Sequence, residues 1–269
     1  MAKISDLIKS KKEFSFSFEV SPGLLEDTVD HLTVEPLFYS ITWHAKGHQN
    51  KDMDTGPLKL ARDLKMKGKN VLLHMSCDLL RKEYLDRVLK MLQEEGIPNL
   101  FLILGEKYDP TTSDFASTIH LIKYIRLHSS DYFCIAVAGD LGSGEQRLQS
   151  LKEKINAGAD FIITQAFFDP IQYKNFYIEC RKIGIEVPIV PGIFYFENKK
   201  QLDSFINLCK IKISSELIQK VENYNLEENL GAKVTKDIID DINKDRFQHF
   251  HFFTLNKLES VSNFIQKHF

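Results

Sequence analysis

Eight short apolar runs, nearly all separated by helical pattern and each closing on a residue able to line a site, constrain what this chain can fold into. They are Phe14 to Val20, Leu37 to Thr42, Asn70 to Met75, Leu100 to Leu104, Phe133 to Ala138, Asp160 to Thr164, Val187 to Val190 and His249 to Thr254. Repeated strand-then-helix order implies parallel pairing, and eight such units predict an α/β fold, a single (β/α)8 (TIM) barrel. In such a barrel the strand exits meet at one face, where the active site lies. Those exits carry Glu19, Thr42, His74, Glu106, Asp140, Gln165, Gly192 and Asn256.

The intervening helical patterns cover Leu58 to Lys67, Arg81 to Glu94, Ser113 to His128, Gln146 to Asn156, Ile171 to Lys182 and Gln201 to Leu208. Gly96, Gly158 and Gly184 follow three of them where a C-terminal cap favours glycine. After the seventh run the pattern lengthens into two or three helical stretches between Lys199 and Asp245, an elaborated seventh crossover. With no repeat, low-complexity tract or Pro-rich linker, residues 1–269 read as one barrel domain with no regulatory domain.

Lys and Arg number 35 and Asp and Glu 37, so a net charge of -2 offers no electrostatic footprint for nucleic acid or an anionic membrane. Neither a secretory signal nor a membrane-spanning apolar run is visible, which makes the cytoplasm the expected location. Cys77, Cys134, Cys180 and Cys209 form no C-x-x-C pair and read as structural thiols. Oligomeric state is open: Phe264 and Phe269 either seal the barrel bottom or meet a second subunit.

The first run links sequence to chemistry. Side chains alternate along a strand, so Phe14, Phe16 and Phe18 share one face and Ser15, Ser17 and Glu19 the other. If the phenylalanines face the helices, the serines fill the interior and Glu19 points inward at the mouth. Partial burial there would raise its pKa and make it a general acid. An ion pair between Glu19 and a Lys or Arg across the barrel is the competing reading.

Six segments in order carry a resemblance to a known family. They are Phe16-Ser17-Phe18-Glu19, Ile41-Thr42-Trp43-His44, Leu73-His74-Met75-Ser76-Cys77, residues 157–165 (AGADFIITQ), residues 188–193 (PIVPGI) and residues 250–256 (FHFFTLN). Through these the chain resembles methylenetetrahydrofolate reductase, in particular the catalytic barrel of the eukaryotic-type enzymes. The resemblance implies FAD across the barrel top, hydride from NAD(P)H, and 5,10-methylenetetrahydrofolate as the small-molecule substrate. It implies Glu19 as the acid that helps open the folate five-membered ring, with Glu106 as a second catalytic carboxylate. Gln165 would hold the pterin edge and Lys257 the folate tail, while Thr42, His74, Gly105 and Lys154 would contact the cofactor.

The chain also departs from that family. Val20-Ser21-Pro22-Gly23 replaces the aromatic and Pro-Pro continuation of the first motif, and Ile103-Leu104-Gly105-Glu106 replaces Leu-Arg-Gly-Asp. The stretch Val137 to Glu145 lacks the family's Tyr-Pro and His-Pro-Glu turn, Arg147 stands where an aspartate is usual, and Lys199 takes the place of a stacking aromatic. Phe194, Tyr195 or Phe196 would substitute for that aromatic if the loop shifts. These changes bear on one cofactor and keep an alternative open: a flavin-less member that binds a folate-like or other flat ligand, or serves a different non-redox reaction. The glycines from Gly139 to Gly144 match neither a P-loop nor a G-x-G-x-x-G spacing, so a shortened loop is favoured over a phosphate cradle. No metal site is expected, since His44 and His48 read as loop residues and no carboxylate completes a ligand set with His74 and Cys77.

Overall fold

Alternating apolar residues close into a ring of parallel strands, with helices of matching apolar faces laid around it. A computed structural model describes residues 2–24, 26–105, 108–142, 144–211, 213–222, 230–244 and 249–269. Helix α1 (Ile4–Ser10) precedes β1 (Ser15–Val20), followed by β2 (Tyr39–Ile41), α2 (Ala45–His48), α3 (Gly56–Met66), β3 (Val71–Ser76), α4 (Lys82–Glu94) and β4 (Asn99–Ile103). Then come α5 (Thr118–Ser129), β5 (Cys134–Gly139), α6 (Glu145–Asn156), β6 (Phe161–Ala166), α7 (Pro170–Lys182) and β7 (Ile189–Ile193). Helices α8 (Lys199–Cys209), α9 (Ser215–Glu222) and α10 (Leu230–Asn243) form the long seventh crossover before β8 (His249–Phe253) and α11 (Leu258–His268). The strands form a closed barrel in sequence order, β8 pairing back onto β1 with Ser15 opposite His249 and Glu19 opposite Phe253.

Two apolar layers follow from the alternation. Phe16 and Phe18 join an outer core with Tyr84, Val88, Leu258 and Val261, between the sheet and the helices. Inside the ring, Phe38, Leu72, Cys134, Ala136, Phe161, Ile163 and Val190 pack with Ile4 of α1. Several other interior positions are polar. Ser15 Oγ lies 2.9 Å from His249 Nδ1, Ser17 Oγ lies 2.8 Å from His251 Nδ1, and Ser40 Oγ lies 2.6 Å from His74 Nε2. The expected division of the first strand, phenylalanines outward and serines inward, therefore holds.

Helix ends account for several boundaries. Gly96, Gly158 and Gly184 have φ of 68°, 118° and 76°, the left-handed region where a Cβ would be strained. Helix α5 begins five residues later than its apolar pattern predicts, because Ser117 caps it, accepting a hydrogen bond from His120 N at 3.2 Å. Asp114 serves elsewhere: it accepts from Lys82 N at 2.9 Å and from Arg81 at 2.8 Å. The loop expected around His44 and His48 contains the single helical turn α2, with His44 at its N-cap. At the opposite end of the barrel Phe269 stacks on Phe14 at 4.3 Å between centroids, whereas Phe264 is buried against Tyr195, which follows β7. Phe269 thus covers the start of β1. Among the described residues no helix is long and apolar enough to cross a membrane.

Candidate active site at the barrel mouth

Most strand residues are buried, and those that are not reveal where the barrel opens. The exceptions are Glu19, Phe101, Ile103, Ala138, Gln165 and Phe253. All but Phe101 lie in the last two positions of their strands, and Thr42, half-buried, directly follows β2. A floor of one carboxyl, one exposed amide, one hydroxyl and three apolar side chains therefore lies at the C-terminal face, where this fold carries catalytic groups.

Glu19 is half-buried on this floor, and among the described residues nothing hydrogen-bonds or ion-pairs with its carboxyl. The ion pair weighed as its alternative role is thus absent from the described residues. Desolvation by burial pushes its pKa up to about 7, leaving it substantially protonated near neutrality. Its strand end is tightly held. Thr254 Oγ1 donates to Glu19 O, Asn256 Oδ1 accepts from Ser21 N at 2.8 Å, and Asn256 Nδ2 donates to Ser21 O at 3.2 Å. Thr42 Oγ1 donates to Ser21 Oγ at 2.7 Å.

The other expected site residues fall into three places. Gln165 is the exposed residue of β6, near the bulge that shifts the register with β7 between Ile163 and Ala166. His74 lies inside β3 rather than beyond it. It is buried, tilted against Phe101 at 4.7 Å, and held neutral by burial with its pKa lowered to about 3. Its neighbour Ser40 stands opposite Glu19 in the β1–β2 register, so His74 belongs to the layer supporting the floor. Gly105 sits at the exit of β4 with φ 108°, and a Cβ there would lie 2.7 Å from Asp78 Cβ, so only glycine lets these loops meet. Glu106 lies outside the described residues.

Two cavities flank the mouth. One of about 330 Å³ at the β5 exit is lined by Ala138, Asp140, Arg147, Ser150, Lys154 and Phe176. Lys154 is half-buried there and its pKa is lowered by desolvation, against the opposing pull of Cys77 and Asp140. The other, of about 370 Å³ between the β7 and β8 exits, is lined by residues including Asn198, Lys200, Gln201, Thr254 and Lys257. Lys257, exposed, stands at the N-cap of α11 beside Glu197. The aromatics after β7 are taken up by the protein. Phe194 stacks face to face on Phe205 at 3.6 Å, Tyr195 on Phe264 at 4.6 Å, and Phe196 meets Phe168 edge-on.

A flavin dinucleotide needs cations or free amides for its diphosphate. At the β4 exit the side chain before Gly105 is Leu104, 42% exposed. At the β5 exit Arg147 pairs with Asp140 at 2.6 Å, and Gly142 N donates to Asp140 Oδ1 at 2.9 Å, so the loop satisfies its own charge and its own amide. Lys154 alone does not make a diphosphate cradle. The described residues do not fit FAD. They include no group of three His, Cys, Asp or Glu able to hold a metal ion.

Several features escaped the sequence. Gln49 is buried and donates through Nε2 to Ser76 O at 2.6 Å and to Asp78 O, fastening the β3 exit. A polar residue just past a short helix that follows a strand exit was the only signal. Phe253, opposite Glu19, was legible by alternation with His249 and His251, but its place on the floor was not drawn from it.

Fold and geometry define a (β/α)8 barrel whose C-terminal mouth is a candidate site with a desolvated carboxylic acid on its floor. The chain belongs to the methylenetetrahydrofolate reductase family, whose model matches residues 3–268. It is 31% identical over 293 residues to methylenetetrahydrofolate reductase (NADH) 1 of Arabidopsis thaliana, covering 94% of this chain and 48% of that protein. It is 30% identical over 302 residues to methylenetetrahydrofolate reductase 2 of Schizosaccharomyces pombe, covering 97% of this chain and 46% of that one. The chain thus spans about half the length of these curated relatives. Among solved structures it is similar, at a TM-score of 0.70 and 13% identity over 99% of this chain and 98% of the other, to an uncharacterised protein from Clostridium thermocellum. That protein is described as binding two copies of 5-methyl-5,6,7,8-tetrahydrofolic acid.

Proposed function

We propose that this chain reduces 5,10-methylenetetrahydrofolate to the 5-methyl product at the barrel mouth, with hydride taken from NAD(P)H. The observation that carries the reading is Glu19, on the floor of the mouth, raised to about 7 by burial alone. An acid of that strength can give its proton to the folate five-membered ring at neutral pH, opening it to an electrophilic iminium. Hydride then adds to the methylene carbon. The (NADH) of the plant relative's name supports a nicotinamide donor, and the folate bound by the clostridial protein supports the substrate class.

In this reading Gln165 offers a donor and an acceptor to the pterin edge, and Lys257 meets the tail carboxylates as a point charge. Thr42 and Phe253 wall the ring system, while Lys154 contributes one cation near the β5 exit without holding a diphosphate by itself. Gly105 keeps the β4 exit low enough for a flat ligand to pass, and His74 supports the floor from below. Glu106, which lies outside the described residues, remains a second candidate carboxylate from the sequence. The test is folate-dependent oxidation of NAD(P)H by the purified chain and its Glu19→Gln variant. The variant should bind folate with similar affinity and lose turnover by about 100-fold or more; equal rates would remove Glu19 as the acid.

The self-satisfied loop at the β5 exit favours a second reading, a member that binds a folate-like ligand without redox chemistry. Folate binding with no NAD(P)H oxidation, with or without added flavin, would decide for it.

A further inference from the structure

The β1–β8 ladder ends with Glu19 opposite Phe253, two residues short of where the chain holds β1 most firmly. Beyond that point side chains take over from backbone. The amide of Asn256 bonds both polar groups of the Ser21 backbone, accepting from N at 2.8 Å and donating to O at 3.2 Å, as a neighbouring strand would. Thr254 Oγ1 donates to the carbonyl of Glu19 itself, and accepts from Asn256 N at 3.2 Å, so the two clamping residues also brace one another. The turn that presents them is costly. Leu255 and Asn256 have φ of 48° and 61°, consecutive left-handed positions without glycine, and Leu255 is 43% exposed. Asparagine tolerates this region and leucine does not. An exposed, strained turn whose two flanking side chains both grip the strand end bearing the acid is a device for placing that acid.

We infer that Asn256 and Thr254 are positioning residues for Glu19: by fixing the Glu19 carbonyl and the Ser21 backbone they hold the carboxyl over the barrel interior and out of bulk water. Thr42, bonded to the Ser21 hydroxyl, secures the same peptide from the β2 side. The inference rests on the reading of Glu19 as proton donor, but it concerns where the carboxyl is held, which can be measured without turnover.

The experiment follows the titration of Glu19 by carboxyl carbon NMR in the full chain, its signal assigned by loss in Glu19→Gln. Asn256→Gly keeps the left-handed backbone accessible while removing the amide, and Thr254→Val removes the hydroxyl at nearly constant shape. Thr254→Ser restores the hydroxyl. In Asn256→Gly and Thr254→Val the midpoint should fall from near 7 toward 4.5, by about one pH unit or more, as the carboxyl gains water. Thr254→Ser should titrate like the parent chain. In the reductase assay the first two should lose about tenfold or more in kcat with KM changed less than about threefold. An unchanged midpoint in both would overturn the inference, whether or not the chain reduces folate. If Asn256→Gly fails to fold, Thr254→Val against Thr254→Ser still decides it. Full activity in Glu19→Gln would instead sink the proposed reaction and leave the titration result standing.

Discussion

Ser17 Oγ lies 2.8 Å from His251 Nδ1 inside the barrel, and His249 Nε2 lies 3.1 Å from the same hydroxyl. One serine of the first strand thus serves two histidines of the last, and Phe38 stacks on both rings at 5.3 Å and 6.0 Å. Together with the Ser40–His74 pair, this makes three imidazoles sealed in an interior that other strands fill with aliphatic and aromatic carbon.

These histidines set the acid limit of the fold. Burial lowers His74, His249 and His251 from 6.5 to about 3, so in the folded chain they stay neutral while the unfolded chain takes up protons. Stability is therefore full above about 6.5 and falls as pH drops toward 3, by about 1.4 kcal/mol per pH unit for each histidine. Denaturant titrations from pH 7 to 4.5 should show this slope, and His249→Gln should reduce it by about one proton. A slope unchanged in the variant would mean that His249 is already charged in the native state.

Glu19 acts with the opposite sign. Its folded pKa near 7, against 4.5 unfolded, gives stability that is full below 4.5 and lost as pH rises through 7. Glu19→Gln should therefore be more stable than the parent at pH 8, by on the order of 2 kcal/mol once solvent reaching the half-buried carboxyl is discounted. Thermal melts at pH 5 and pH 8 check this, since the gain should shrink at the lower pH. In the folate assay the same group should appear as loss of kcat/KM above about pH 7, a limb missing from the residual activity of the variant.

Gly192 has no room for a side chain. A Cβ would lie 2.4 Å from Thr164 O and 2.7 Å from the Phe253 ring, so β6 and the mouth floor would both have to move. Gly192→Ala should cost about 3 kcal/mol in chemical unfolding and loosen the floor beside Glu19. A cost below about 1 kcal/mol would show that the bulge in β6 absorbs a methyl group.

Flavin should not bind. A ligand at 100 times its dissociation constant stabilises the native state by about 2.7 kcal/mol. Adding FAD to the purified chain should leave the melting temperature unchanged, and gel filtration should return a colourless protein. A retained yellow chromophore would mean that the Arg147–Asp140 pair opens to admit the diphosphate.

Most of the scaffold was legible because strand period and helix period differ, and eight alternations leave few arrangements. The alternation of the first strand predicts the inward face of Ser15 and Ser17 that the structure shows. What escaped depends on closure. His74 reads as a strand exit in a linear sequence, but β3 continues to Ser76 and leaves it a layer below the mouth. The start of α5 was set by a serine cap against a continuing apolar pattern, and the turn at His44 to His48 lacks the length that periodicity needs. Asn256 was visible as the eighth exit, yet its partner Ser21 is 235 positions away, and no local pattern pairs them.

That separation bears on how the protein is made. Thr254 and Asn256, which brace the strand end bearing Glu19, come from the last strand exit, so these contacts are available only once nearly the whole chain exists. Closing the ring joins the most distant contacts in the molecule, the slowest kind to form. A chain cut short before the eighth strand should therefore show Glu19 titrating near 4.5 rather than near 7.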